Sequence, residues 1–188
     1  MNVLNVLKSS VVAGICIGIA GIGFLATRDI IGSVLFAFAL LSVVAYKLYL
    51  YTGTAGFIKK GELPLLLLVF AGNIAGCLLM SLLARLSPMP LQESAQNILE
   101  GRLAMGPLHG GLLSIACGFI MTTAVTFARK GNNFPLLFGV PLFITCGYPH
   151  CMAGAFFYLC VPLDFWMANL GSILGFYVSI VLGNFIGC

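Results

Sequence analysis

A short helix-breaking segment interrupts a long apolar part of this chain. Residues 145–151 read Thr-Cys-Gly-Tyr-Pro-His-Cys, and they separate two apolar runs, 134–144 and 152–161. Each run alone is too short to cross a bilayer, but together they match the roughly 20 residues that a spanning helix needs. Non-helical backbone at membrane depth must be buried in protein or line a watery cavity, so we expect one broken span with a functional interior.

His150 lies inside this segment, near the middle of the expected span. Ionisable residues at membrane depth often mark the path of a substrate or ion, and histidine exchanges its proton near neutral pH. The pattern therefore makes His150 a candidate for the centre of a permeation site. The alternative is a packing histidine whose ring nitrogens are satisfied by hydrogen bonds.

The composition identifies the class of protein. The 188 residues are 61% apolar and 7% charged, with a mean hydropathy of +1.11. This predicts an all-α integral membrane protein in contact with lipid, with residues 1–188 forming a single transmembrane domain. The net charge of +4 comes mainly from loop residues that act as topology signals, so no nucleic-acid partner is expected. No cofactor, metal site or catalytic residue is predicted either.

The apolar runs predict six transmembrane helices. The second run, 30–58, is longer than one span requires and is interrupted at residues 47–54, which makes it a second broken helix. A polar stretch, 87–102, separates the third span from the fourth. The remaining spans are 9–26, 63–84, 105–128 and 167–188.

The distribution of basic residues predicts the topology. Under the positive-inside rule, the side with the excess of lysine and arginine faces the cytoplasm. Both termini are then cytoplasmic, and the protein is expected in the cell inner (plasma) membrane. The basic residues on that side are Lys8, Lys59, Lys60, Arg129 and Lys130.

An internal repeat supports the same architecture. The motif Gly-Asn-x-x-Gly-Cys occurs at residues 72–77 in the third span and again at 183–188 in the sixth. In each half the interrupted span comes just before this motif. Three crossings per half place the second copy in the opposite orientation, so we expect a 3+3 inverted repeat of about 9–86 and 104–188.

Together these motifs resemble those of the formate/nitrite transporter family. The matching segments are Leu-Tyr-Thr-Gly-Thr at 50–54, Gly-Tyr-Pro-His at 147–150 and the two Gly-Asn-x-x-Gly motifs. The resemblance implies an aquaporin-like protomer, a homopentamer with one pore per protomer, and transport of small anions rather than enzymatic activity.

The resemblance also implies roles for individual residues. His150 is similar in position to the family's central pore histidine, and Thr52 to its neighbour from the second-span loop. Arg102 matches a basic residue, usually lysine, at the start of the fourth span. The family's acidic residues in the two loops are replaced by Tyr49 and Pro149. The implied apolar constriction consists of Phe36, Leu40, Tyr51, Met121 and Phe143.

Two basic residues are candidates for attracting anions. Lys47 either raises the local potential beside the second-span loop or extends its ammonium group to the membrane surface. Arg102 either attracts anions at the outer mouth or pairs with Glu100 or lipid headgroups. His150 either shares a proton with a weak-acid anion, which then passes as a neutral acid, or stays cationic and binds the anion directly.

Three functions are compatible with these patterns. The leading hypothesis is a channel or proton-coupled transporter for a small monovalent anion such as formate, nitrite, lactate or hydrosulfide. The second is a channel for neutral small solutes or ammonia, which apolar constrictions would also permit. The third is a membrane redox or metal protein that uses Cys146, Cys151 and His150.

Overall fold

The structure is a computed structural model that describes residues 2–188. Within this range the chain forms nine α-helices where the sequence predicts six. The count differs because segments 46–50 and 146–150 are non-helical and because the polar stretch folds into a separate helix. The helices are α1 (Val3–Thr27), α2 (Ile30–Ala45), α3 (Tyr51–Ala55), α4 (Leu63–Ala84), α5 (Leu91–Met105), α6 (Pro107–Arg129), α7 (Phe134–Thr145), α8 (Cys151–Cys160) and α9 (Leu163–Gly187).

Of the helices in residues 2–188, four are long and apolar enough to cross a membrane by themselves: α1, α4, α6 and α9. Large apolar side chains stay exposed along them, among them Leu67 and Leu82 of α4 and Leu112 of α6. Extensive apolar surface of this kind suits lipid tails rather than water. The chain is therefore a multi-pass membrane protein.

Glycines bring the long helices together in two close pairs, α1 with α4 and α6 with α9. A Cβ at Gly14 would overlap the backbone carbonyl of Asn73, and one at Gly118 would overlap that of Asn184. Only glycine permits such a close approach of two helix backbones. The consequence is that the two asparagine side chains lie beside the non-helical segments.

The two non-helical segments, 46–50 and 146–150, share one pattern of backbone hydrogen bonds. After α2, the Leu48 N–H donates to the Val43 carbonyl at 2.8 Å, and after α7 the Tyr148 N–H donates to the Phe143 carbonyl at 2.9 Å. Each segment thus turns back onto the last turn of the helix before it. We call them the first turn and the second turn.

Both turns contain a residue in the left-handed region. This residue is Lys47 in the first turn, with φ 52°, and Gly147 in the second, with φ 70°. A residue with a side chain is destabilised there by about 1–2 kcal/mol, whereas glycine is not. Lysine is therefore the unusual choice of the two.

Helix α5 forms from the stretch that the sequence marks only as polar. Three of its apolar residues, Leu91, Ala95 and Leu99, recur every four positions and so lie on one face of the helix. Each is at most 1% exposed, and α5 packs against α8. Arg102 lies in the last turn of α5, and α6 begins only at Pro107. The placement of Arg102 at the start of the fourth span was therefore wrong.

Candidate functional site

His150 is the residue immediately before α8 and is 1% exposed. Its Nδ1 accepts a hydrogen bond from the Ala153 N–H at 3.2 Å, so the imidazole caps the first turn of α8. Its Nε2 lies 3.1 Å from Oγ1 of Thr52, which is fully buried in α3. Because Nδ1 is an acceptor, a neutral imidazole carries its proton on Nε2 and donates it to the Thr52 hydroxyl.

Asn73 of α4 holds the first turn in place. Its carboxamide oxygen accepts the Tyr51 N–H at 2.8 Å, which is one of the N–H groups that the start of α3 leaves open. Its nitrogen donates to the Tyr49 carbonyl at 2.9 Å and to the Ser10 carbonyl of α1 at 2.8 Å. The carboxamide is fully buried, so its hydrogen bonds satisfy backbone groups of the first turn that would otherwise need water as a partner.

Asn184 of α9 makes the corresponding bonds to the second turn. Its oxygen accepts the Cys151 N–H at 2.7 Å, and its nitrogen donates to the Pro149 carbonyl at 3.0 Å and the Ser114 carbonyl at 2.8 Å. The sequence shows the repeated Gly-Asn motif, but Asn73 and Asn184 are not among the predicted site residues. The signal in the sequence that could identify them is a polar amide at the same place in two apolar helices.

Tyr49 and Pro149 occupy matching positions in the two turns. The Tyr49 N–H donates to Ser9 Oγ at 3.1 Å, whereas Pro149 has no N–H that needs a partner. Neither side chain supplies a carboxylate, so the two turns carry no negative charge at these positions.

The five predicted constriction residues are all buried, but they occupy different places. The Phe143 ring stacks on the His150 ring, with centroids 5.4 Å apart and planes 24° apart. Phe36 and Phe143 line one cavity, and Leu40 lines another. Tyr51 and Met121 line neither of these cavities.

The cavity on the His150 side has a volume of about 240 Å³. It is lined by Tyr148 of the second turn, by Ala153, whose N–H donates to the imidazole, and by Arg102, whereas His150 itself does not line it. Arg102 Nη1 donates to Tyr158 Oη at 3.0 Å, and its guanidinium carbon lies 5.6 Å from that ring's centroid. We call this space the Arg102 vestibule.

The cavity on the Thr52 side is larger, about 460 Å³, and is lined by Leu50 and Gly53 from either side of Thr52. Lys47 and Arg129 also line it. The sequence predicts Arg129 only as a residue of a cytoplasmic loop, because its contacts with Gly53 and Phe57 join segments that are distant in the chain. We call this space the Lys47 vestibule.

The two cysteines beside His150 differ in their exposure. Cys146 begins the second turn and is exposed, whereas Cys151 is the first residue of α8 and is buried. Among residues 2–188, no group of three or more histidine, cysteine or acidic side chains is arranged to hold a metal ion.

Comparison with known proteins adds a family and a fold. The family model described as formate/nitrite transporter matches residues 1–188. A solved structure described as a pentameric formate channel with formate bound is 20% identical, with a TM-score of 0.84, and the match covers 98% of this chain and 92% of that chain. A second, described as an FNT family ion channel, is 21% identical, with a TM-score of 0.78 and coverage of 99% and 86%. No curated protein matches the chain.

Proposed function

Since the chain belongs to the formate/nitrite transporter family, we propose that it is a channel or proton-coupled transporter for small monovalent anions of the formate, nitrite, lactate or hydrosulfide type. The observation that carries this proposal is the buried hydrogen bond between Thr52 and His150, which lies between two vestibules, one lined by Arg102 and the other by Lys47 and Arg129. The solved structure described as a formate channel, which has the same fold, supports the same substrate class.

The proposed architecture has six spans in a single domain. Helices α2 and α3 together form the second span, and α7 and α8 together form the fifth, each interrupted by its turn. The repeats, about 9–86 and 104–188, are inverted relative to each other and aquaporin-like. Support comes from the paired turns and from the matching hydrogen bonds of Asn73 and Asn184.

The proposed path runs from one vestibule to the other past Thr52 and His150. Lys47 and Arg102 attract anions at the two mouths, because each adds positive potential to a cavity with apolar walls. Leu40 narrows the path beside the Lys47 vestibule, and Phe36 and Phe143 narrow it beside the Arg102 vestibule. Tyr51 and Met121 complete the apolar constriction from buried positions.

The neutral form of His150 fits this path best. Its Nδ1 accepts the Ala153 N–H, and an imidazolium would present a second donor to that same group. A bare anion between the apolar constrictions is destabilised by loss of water. We propose that a weak-acid anion takes up a proton from the water of a vestibule and crosses as the neutral acid, while the Nε2–H of His150 and the Thr52 hydroxyl offer it hydrogen bonds in place of water.

A second candidate function is a channel for neutral small solutes or ammonia. The apolar constrictions favour it, because a neutral solute loses little on leaving water. The absence of a carboxylate at Tyr49 and Pro149 argues against recruitment of ammonium ions. The two basic vestibules do not favour a neutral-solute channel, because a neutral solute gains little from positive potential.

We also propose that the protein is a homopentamer in the cell inner membrane, with both termini cytoplasmic. The description of one structural neighbour as pentameric supports the number, and the exposed apolar helix faces suit contacts with lipid and with other protomers. The basic loop residues support the orientation.

The test is flux into proteoliposomes of formate, nitrite, lactate, hydrosulfide, urea and ammonia, with and without a membrane potential. His150→Asn is the key variant, because asparagine is also a good helix N-cap but carries no exchangeable imidazole proton. The matched control is His109→Asn, which changes the exposed histidine at the start of α6.

We expect anion flux that rises as the pH falls, is lost in His150→Asn and is unchanged in His109→Asn. Flux of urea or ammonia alone would replace the proposal with the neutral-solute channel. Equal flux and equal pH dependence in wild type and His150→Asn would remove His150 from the mechanism.

A further inference from the structure

We propose that the Lys47 vestibule is also a binding site for doubly charged oxyanions such as hydrogen phosphate, the form that inorganic phosphate takes above neutral pH, and that these anions bind there without passing through. Binding itself is independent of the proposed function. Only the consequence, a block of transport from this side of the membrane, rests on it.

The first argument is the charge of the vestibule. Lys47 and Arg129 both line it, and none of its lining residues is aspartate or glutamate. The cavity measures about 460 Å³, against about 240 Å³ for the Arg102 vestibule, so it has room for a hydrated oxyanion. Lys47 and Arg129 are both exposed, so the vestibule is open to solvent, and a cleft with two cations and largely apolar walls concentrates anions.

The second argument is the backbone at Lys47. This residue has φ 52°, and the matching position in the second turn is Gly147. Strain of this kind persists mainly where the side chain has a use. The turn itself does not require a lysine at this position, so the strain indicates that the ammonium group of Lys47 has a use.

The third argument is the fixed position of Arg129. Its Nη2 donates to the Gly53 carbonyl at 3.1 Å, and its guanidinium carbon lies 3.6 Å from the centroid of the Phe57 ring. These contacts hold the guanidinium at the cavity wall while engaging one of its nitrogens. A planar guanidinium is suited to oxyanions, which accept paired N–H bonds from it.

The fourth argument explains why such an anion stops there. Leu40 and Leu50 line the cavity and are each 1% exposed, so the way onward is apolar. The solvation energy of an ion grows with the square of its charge, and a dianion therefore loses about four times as much as a monovalent anion on leaving water. Its attraction to the two cations only doubles, so it binds in the vestibule and goes no further.

The test of binding is equilibrium dialysis of radiolabelled inorganic phosphate against the purified protein in detergent. We expect Lys47→Gly to weaken phosphate binding about fivefold at low salt, since it removes one of two nearby charges and suits the left-handed backbone. Lys47→Asn, which keeps a side chain that tolerates this conformation, is expected to behave alike. The matched control is Lys130→Gln, which removes a neighbouring loop charge that does not line the cavity.

The test of the block is formate flux with phosphate on one side of the vesicle at a time. Phosphate on the Lys47 side should lower the flux, with an inhibition constant about fivefold higher in Lys47→Gly, and phosphate on the other side should not. Phosphate binding that is equal in wild type and Lys47→Gly, or that falls equally in Lys130→Gln, would overturn the site even if formate passes. Phosphate binding that depends on Lys47 in a protein without anion flux would keep the site and refute the proposed function.

Discussion

The side chains of Asn73 and Asn184 make the same three kinds of hydrogen bond in opposite halves of the chain. Each carboxamide oxygen accepts an N–H at the start of a short helix, and each nitrogen donates to one carbonyl in a turn and one in a neighbouring long helix. The two turns are thus attached to α4 and α9 by single buried amides.

Replacing Asn184 by leucine should destabilise the protein strongly. The substitution leaves the Cys151 N–H and the carbonyls of Pro149 and Ser114 without this partner. Each buried polar group that loses its partner costs about 1–3 kcal/mol, so thermal unfolding in detergent should occur at a clearly lower temperature. Asn97→Leu, at an exposed position of α5, is the control and should unfold like wild type; a similar drop in both variants would contradict the role of Asn184.

Gly118→Ala should disrupt the contact between α6 and α9. Its Cβ would overlap the backbone of Asn184, which cannot move without displacing the second turn. Overpacking of this kind costs about 1–3 kcal/mol, measurable as a lower midpoint of thermal unfolding. Gly23→Ala of α1 has open space around the new Cβ and should raise stability by about 0.5–1 kcal/mol, as expected for alanine in a helix.

The left-handed residues of the two turns, Lys47 and Gly147, should have opposite effects on stability when they are substituted. Gly147→Ala places a Cβ at φ 70° and should destabilise the protein by about 1–2 kcal/mol. Lys47→Gly relieves the corresponding strain and should leave stability equal to or above that of wild type. Thermal unfolding of both variants decides this, and a large loss in Lys47→Gly would mean that the lysine side chain itself stabilises the turn.

Thr52→Val keeps the shape of the side chain but removes the oxygen that lies 3.1 Å from His150 Nε2. If this pair hydrogen-bonds the passing acid, anion flux should fall about tenfold or more, because the buried N–H loses its acceptor and the passing acid loses the hydroxyl. Thr52→Ser retains the hydroxyl and should stay within about twofold of wild type. Equal flux in the valine and serine variants would exclude the hydroxyl from the pathway.

Arg102 should act through its charge, and its position should depend on Tyr158. Arg102→Gln is expected to raise the half-saturating anion concentration on its own side about fivefold at low salt, with a smaller effect at high salt. Tyr158→Phe removes the 3.0 Å hydrogen bond but keeps the charge, so its effect should be smaller. A larger effect in Tyr158→Phe than in Arg102→Gln would indicate that the tyrosine hydroxyl itself contacts the anion.

Much of this arrangement is predictable from local sequence. The apolar runs predict the long helices, and the polar insertions with Lys47, Gly147 and Pro149 predict where helical structure stops. The first insertion is shorter than predicted, because residues 51–54 are helical in α3. Helix α5 is not among the predicted elements, although Leu91, Ala95 and Leu99 recur at a helical spacing within the polar stretch.

The positions of the charged side chains were not predictable in the same way. Arg129 donates to the carbonyl of Gly53, 76 residues away, and no periodicity in the sequence links the two. Arg102 lines the Arg102 vestibule from the end of α5, a helix that packs against α8. Contacts between distant segments decided both positions.

The asparagine bonds also determine when each turn can be completed during synthesis. The acceptor for the Tyr51 N–H is 22 residues further along the chain, and that for the Cys151 N–H is 33 residues further. A chain that enters the bilayer from its N-terminus therefore delivers each turn before the helix that satisfies it. Open backbone groups are not tolerated in hydrocarbon, so each turn has to stay in contact with water or the insertion machinery until α4 or α9 arrives. The turns beside Thr52 and His150 are thus not able to leave that polar environment before α4 and α9 enter the bilayer.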